Sequence, residues 1–76
     1  MFAGVLIKTD AAKTKAAYEQ IRSIEGVANL TAVFGRFDLV AMIRALDINA
    51  GATIIGKIRN VDGVISTETL IATPLL

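Results

Sequence analysis

The sequence predicts a small α+β domain built from two consecutive β-α-β units, in the order βαββαβ. Apolar runs of strand length alternate with stretches of helical periodicity, and the second half of the chain repeats the first at a fixed offset. A glycine turn lies where the halves meet. These three observations predict a single domain that spans residues 1–76.

The first half has the pattern of a strand, a helix and a second strand. Phe2 to Ile7 is an almost continuous apolar run, which is typical of a strand buried on both faces. Thr9 and Asp10 offer oxygens for a helix N-cap, and Ala11 to Ser23 has helical periodicity. Val27 to Phe34 then alternates with the period of a strand. The apolar side of the predicted helix consists of Ala17, Tyr18, Ile21 and Ile24.

The turn around Gly35 joins the two halves. Glycine adopts the positive φ that a short hairpin requires, and Phe34 and Phe37 are predicted to anchor it on either side. The Asp38 side chain is expected to accept a hydrogen bond from the turn backbone. A third strand is predicted from Asp38 to Ala45.

The second half repeats the order of elements. Asp47 is the predicted N-cap of a second helix, in which Gly51 and Gly56 each cost about 1 kcal/mol relative to alanine. Either close packing requires these glycines or the helix is loose at its start. Val64 to Ala72 is the last predicted strand, and the apolar tail Pro74–Leu76 is expected to pack on a neighbouring chain. The apolar stripe of the second helix consists of Ile48, Ile54, Ile55, Ile58 and Val61.

The internal repeat sets the predicted architecture. Ile-Arg-Ser-Ile-Glu-Gly-Val at positions 21–27 matches Ile-Arg-Asn-Val-Asp-Gly-Val at 58–64, and Asp10 matches Asp47. Two β-α-β units joined by a hairpin form the ferredoxin-like fold, a four-stranded antiparallel sheet with both helices on one face.

The predicted central strands are apolar on both faces. Either alternation gives an apolar set: Phe2, Gly4 and Leu6 with Leu39, Ala41 and Ile43, or Ala3, Val5 and Ile7 with Val40 and Met42. The chain is 54% hydrophobic, more than a domain of this size buries alone. We therefore expect the helix-free face to be covered by a second copy, so that the protein dimerises through its open sheet face.

Composition excludes several classes of function. The absence of Cys and His excludes disulfides, thiolate-bound zinc and any catalytic pair that requires His, and no cofactor is expected. The charges are scattered without a basic run, which disfavours nucleic-acid binding. Apolar runs fall short of the roughly 20 residues that cross a bilayer, and no signal peptide is apparent. We expect a cytoplasmic protein without membrane contact.

No catalytic residue is predicted, because no two carboxylates are placed by the sequence to share a site. Arg44 is unusual in an apolar strand. It is expected to pair with a nearby Asp at the strand end, the alternative being that it clamps an acidic ligand.

Two segments resemble a known family. Gly35-Arg36-Phe37-Asp38-Leu39-Val40 is similar to the G-x-[YF]-D-hydrophobic pattern of the Lrp/AsnC ligand-binding domain, also called the RAM domain. The run from Ile58 to Thr69 resembles the family's other common segment, a helix end followed by Gly-Val and a strand with Thr-x-Thr. The similarity covers essentially the whole chain. Without the helix-turn-helix DNA-binding domain of the regulators, the sequence looks like a stand-alone member that does not bind DNA directly.

The resemblance implies a non-enzymatic domain that dimerises through its sheets and assembles into rings, commonly octamers or decamers. Amino-acid effectors would bind between dimers, and full-length Lrp/AsnC transcription regulators are possible partners through mixed assembly. The effector-binding residues implied by the family pattern are Gly35, Arg36, Phe37 and Asp38 in the turn, with Thr67 and Thr69 lining the pocket.

Two alternatives remain open at this point. Small dimeric α+β-barrel enzymes of the monooxygenase or isomerase type share the βαββαβ order, although their sites generally use polar residues such as His. The other alternative is a purely structural assembly domain. A cavity enclosed within one subunit would favour the enzyme, whereas a pocket between dimers would favour effector binding.

Overall fold

The computed structural model describes residues 1–75 and has the predicted order of elements. Leu76, the end of the apolar tail, lies outside the described residues, and Leu75 is fully exposed in the single chain. Neither helix has the length and apolar content needed to cross a lipid bilayer in the part of the chain described. The elements are β1 (Phe2–Thr9), a 3-10 turn (Ala11–Lys13), α1 (Thr14–Arg22), β2 (Val27–Ala32), β3 (Leu39–Arg44), α2 (Ile48–Arg59) and β4 (Val64–Ile71).

The four strands form one sheet in the order β2-β3-β1-β4, and every neighbouring pair is antiparallel. This is the predicted ferredoxin-like arrangement, with β1 and β3 at the centre. Phe2 lies opposite Arg44 and Ile7 lies opposite Leu39, so the two central strands pair along nearly their whole length.

The core lies between one face of the sheet and the two helices. Side chains that alternate along β1 and β3 meet apolar residues of α1 and α2 there. The prediction for Ile48 was wrong, because this residue is 63% exposed in the first turn of α2, and the stripe contacts the core only from Ile54 onward. The buried core consists of Ala3, Val5, Ile7, Ala17, Ile21, Leu39, Ala41, Ile43 and Ile58.

Three element boundaries differ from the prediction by two residues or more. β1 continues to Thr9, so Thr9 belongs to a strand rather than to a helix cap. Asp10 caps a 3-10 turn instead, by accepting a hydrogen bond from Ala12 N at 3.0 Å, and the regular helix starts only at Thr14. β2 ends at Ala32, which lengthens the connection to β3.

The backbone confirms the internal repeat. Ser23 and Asn60, at equivalent positions after the two helices, both have φ −87° and ψ −4°. Gly26 and Gly63 follow with φ values of 101° and 97°. The two helix ends therefore close in the same way, as expected from their matching sequences.

The centre of the sheet face away from the helices is apolar, and polar residues such as Asn29 and Glu68 lie on its outer strands. Directly opposed residues of antiparallel strands share a face, so Gly4 stands beside Met42 and Leu70, and Leu6 stands beside Val40. We call this surface the open face and define its apolar part as Phe2, Gly4, Leu6, Val40, Met42 and Leu70. Phe2 and Leu70 are 40% and 58% exposed in the single chain.

Arg44 lies on the edge of the open face and contacts an aromatic ring. Its guanidinium carbon stands 5.6 Å from the centre of the Phe2 ring, a cation–π contact. Arg44 forms no ion pair with any residue in positions 1–75. The expected pairing with an Asp was therefore wrong, because the cross-strand neighbour of Arg44 is Phe2.

The two glycines of α2 have different surroundings. Gly51 is buried, and a Cβ placed there would overlap Met1 Sδ and approach its Cε to 2.8 Å. A Cβ at Gly56 would meet nothing within 4 Å. Close packing therefore explains Gly51 but not Gly56.

Replacing Gly56 by alanine is expected to raise the free energy of unfolding by about 1 kcal/mol, because the helix gains propensity without a clash. Gly51→Ala gains the same propensity but must displace the Met1 side chain, so it is expected to be less stable than Gly56→Ala. Urea denaturation of both variants at one protein concentration checks this order. A Gly51→Ala protein as stable as Gly56→Ala would contradict the packing explanation.

Candidate functional site

The candidate site is the connection between β2 and β3, residues 33–38. Val33 N donates to the Asp38 carbonyl oxygen at 2.9 Å, which closes the loop at its base. Gly35 has φ 124°, and a Cβ there would have no contact within 4 Å. Glycine is thus needed for the backbone conformation rather than for space. The connection is longer than the short hairpin expected from the sequence.

The tip of the turn projects into solvent. Phe34, Gly35 and Arg36 are exposed, whereas Phe37 and Asp38 are half-buried. Phe34 is fully exposed, so it does not anchor the turn within its own chain as predicted. Arg36 takes part in no ion pair within the 75 described residues. The tip therefore presents an aromatic ring and an unpaired cation.

Asp38 is held by β1 rather than by the turn. Its Oδ2 accepts hydrogen bonds from Thr9 N at 2.7 Å and from Thr9 Oγ1 at 3.2 Å. Its backbone N–H donates to the Ile7 carbonyl oxygen at 2.9 Å. The expected bond to the turn backbone was wrong, because β1 extends far enough to place Thr9 beside the start of β3.

Thr9 is a site residue that the sequence interpretation missed. It is 5% exposed and continues the buried alternation of Ala3, Val5 and Ile7 along β1. Its hydroxyl also lies 2.6 Å from that of Thr14, at the start of α1. A polar residue at a core-facing position of a strand was the available signal, since a buried hydroxyl requires a partner.

These contacts lower the pKa of Asp38. The main cause is the hydrogen bond from the Thr9 backbone N–H, which stabilises the carboxylate, whereas desolvation acts in the opposite direction. The Thr9 hydroxyl and the charge of Lys8 lower the pKa further. Asp38 is therefore ionised at neutral pH.

Thr67 and Thr69 lie on a different part of the sheet. They are half-buried on β4 and stand opposite Ile7 and Val5 of β1, on the side that carries the helices. Because β1 separates β4 from β3 and strands are about 4.8 Å apart, the threonines are roughly 10 Å from β3. Within one chain, the predicted site residues Gly35, Arg36, Phe37 and Asp38 lie together in the turn. Thr67 and Thr69 lie apart from them on β4.

A groove of about 280 Å³ does involve Thr67. Arg59, Val64, Ile65 and Ser66 complete its lining, and no residue of the turn contributes to it. Across residues 1–75, His, Cys, Asp and Glu side chains form no cluster of three or more that could hold a metal ion.

The lowered pKa of Asp38 predicts a pH-dependent contribution to stability. An aspartate has an ordinary pKa of about 3.9 in an unfolded chain. The contribution of Asp38 is fully present above that value and is lost as the pH falls through the lower folded-state pKa. Between pH 5 and 2, roughly the range over which such a contribution is lost, unfolding free energy should fall more steeply for wild type than for Asp38→Asn. Parallel slopes in urea titrations would contradict this.

Comparison with known proteins places the chain in a family. The family model of the Lrp/AsnC ligand binding domain matches residues 2–74. No curated protein matches the sequence. Many solved structures do match it.

TTHA0845 from Thermus thermophilus is 33% identical, with a TM-score of 0.91, over 99% of this chain and 95% of that chain. FFRP-DM1 is 26% identical, with a TM-score of 0.89, over 95% and 97% of the two chains. The transcriptional regulator NMB0573 from Neisseria meningitidis, in complex with L-Met, has a TM-score of 0.85 at 16% identity. That match covers 96% of this chain and 49% of the regulator. Because the family model matches nearly the whole chain and these structures share its fold, the chain belongs to the Lrp/AsnC ligand binding domain family.

Proposed function

We propose that this domain binds an amino acid at the turn before β3 and that self-association completes the binding site. The observation that carries the proposal is Asp38, an ionised carboxylate that is hydrogen-bonded to the central strand β1 and follows by two positions an arginine with no ion pair in residues 1–75. A zwitterion with one ammonium and one carboxylate complements this pair of charges.

The turn has groups for both ends of an amino acid. Asp38 Oδ1 has no hydrogen-bond partner within residues 1–75 and is not buried, so it is available to an ammonium. The backbone N–H groups of Gly35, Arg36 and Phe37 donate to no backbone acceptor within the described chain. These N–H groups, or the Arg36 guanidinium, are suited to a carboxylate.

The position of the threonines supports a site shared between chains. Thr67 and Thr69 lie across β1 from the turn, and the groove lined by Thr67 includes no residue of the turn. A second copy could bring its threonines to the turn. The apolar open face gives each chain a reason to associate, because its exposed surface is stabilised when another sheet covers it. We propose dimers through the open faces, assembled into a ring such as an octamer or decamer.

The proposed role is regulatory and not enzymatic. The family is defined by ligand binding, and NMB0573, which shares the fold, was crystallised with L-Met. The domain would bind no DNA itself and would modulate full-length Lrp/AsnC regulators by mixed assembly. We expect a cytoplasmic location because the proposed partners are transcription regulators.

Calorimetric titration of the assembled protein with each of the twenty amino acids tests effector binding. At least one is expected to bind, and Asp38→Asn should weaken its binding about tenfold or more through loss of a charge-assisted contact. Asn is preferred to Ala because it keeps an acceptor for Thr9. Arg36→Gln should also weaken binding, whereas Arg22→Gln on the surface of α1 is the matched control. Binding by none of the twenty would leave a purely structural assembly domain.

Mixing of subunits tests whether the site is shared. Asp38→Asn chains and Thr67→Val/Thr69→Val chains are expected to bind weakly when each assembles alone. After joint unfolding and reassembly, some sites would combine an intact turn from one chain with intact threonines from another, so part of the affinity should return. A mixture that binds no better than the average of its two components would contradict a site between chains.

A further inference from the structure

We propose that Thr9, supported by Thr14, positions the Asp38 carboxylate for its ligand, by holding Oδ2 so that Oδ1 alone is presented to the effector's ammonium. The part of this inference that concerns a ligand rests on the proposed function. It assigns a role to a buried threonine of β1 that lies outside the turn.

The hydrogen bonds around Thr9 cannot all form at once. Its Oγ1 lies 3.2 Å from Asp38 Oδ2 and 2.6 Å from Thr14 Oγ1, and Thr14 Oγ1 lies 3.3 Å from the Asp10 carbonyl oxygen. Two hydroxyl groups carry two protons, so at most two of these three contacts are hydrogen bonds at any moment.

The charge of Asp38 decides which two bonds form. An ionised carboxylate only accepts, and a charge-assisted bond is the stronger one, so Thr9 donates to Asp38 and Thr14 donates to Thr9. The Asp10 carbonyl oxygen then loses the Thr14 hydroxyl but keeps the bond from Lys13 N at 2.8 Å. The arrangement leaves no buried side-chain polar atom without a partner in the described residues.

This arrangement makes the two oxygens of Asp38 unequal. Oδ2 accepts from both the N–H and the hydroxyl of Thr9, which fills its acceptor capacity. Oδ1 is accessible and accepts from nothing in residues 1–75. An ammonium group is therefore directed to Oδ1, and the carboxylate does not have to be immobilised when the ligand arrives.

The Thr9→Val variant tests the positioning role, because valine keeps the shape and the backbone N–H but removes the hydroxyl. Two quantities are measured: the pKa of the Asp38 carboxyl by ¹³C NMR titration without ligand, and amino-acid affinity by calorimetry. Thr9→Val is expected to raise the pKa part of the way to its ordinary value and to weaken binding about tenfold. Thr9→Ser, which keeps a hydroxyl, should restore both.

Two further variants make the test specific. Thr14→Val leaves Thr9 in place and should shift the pKa of Asp38 and the amino-acid affinity in the same direction as Thr9→Val, but by less. It provides a test even if Thr9→Val folds poorly. Thr53→Val, an exposed position on α2, is the matched control and should change neither. The inference is overturned when Thr9→Val leaves the pKa of Asp38 unchanged, or when affinity falls equally in Thr9→Val and Thr9→Ser.

The two measurements separate this inference from the proposed function. Failure of every amino acid to bind wild type would refute the proposed function, and with it the role of Thr9 toward a ligand. The NMR titration would still show whether Thr9 holds the carboxylate. If Thr9→Val shifts the pKa of Asp38 but the variant binds the amino acid normally, the positioning role is refuted. The bond from Thr9 to Asp38 is then only structural.

Discussion

The structure depends on one constraint. Its two central strands are apolar on both faces of the sheet, and the two helices cover only one of these faces. Ala3, Val5 and Ile7 on β1 have their partners in α1 and α2. No helix of the single chain packs against Phe2, Leu6 and the other apolar residues of the open face. A chain of 76 residues folding alone buries only about 60% of its unfolded surface, which is marginal for stability. We therefore propose association as the physical consequence of the strand pattern.

The candidate site depends on the same central strands. β1 runs to Thr9, where it fixes Asp38 at the start of β3, so an exposed turn is tied to a central strand of the sheet. Thr67 and Thr69 lie across β1 on the edge strand. In the proposed site, a ligand that contacts both groups lies where two copies meet, and its affinity would then depend on assembly. Binding and self-association would then be two consequences of one sheet.

The sequence was sufficient for features that depend on neighbouring residues or on repetition. Helical periodicity predicted Ala17 and Ile21 in the core, and the internal repeat predicted two helix ends that prove to have the same geometry. It failed for contacts between distant residues. The bond from Thr9 to Asp38 joins positions far apart in the chain, and it exists only because β1 and β3 pair in one particular register. The partner of Arg44 was missed for the same reason.

Sedimentation velocity of the wild-type protein, from nanomolar to micromolar concentration, tests association through the open face most directly. A species of at least twice the 8.0 kDa chain mass is expected throughout the micromolar range, because an uncovered apolar sheet face is unfavourable in water. Exchanging Met42 for Glu at the centre of the open face should shift this species toward the monomer. A folded wild-type monomer of 8.0 kDa at micromolar concentration would contradict association as the consequence of the strand pattern.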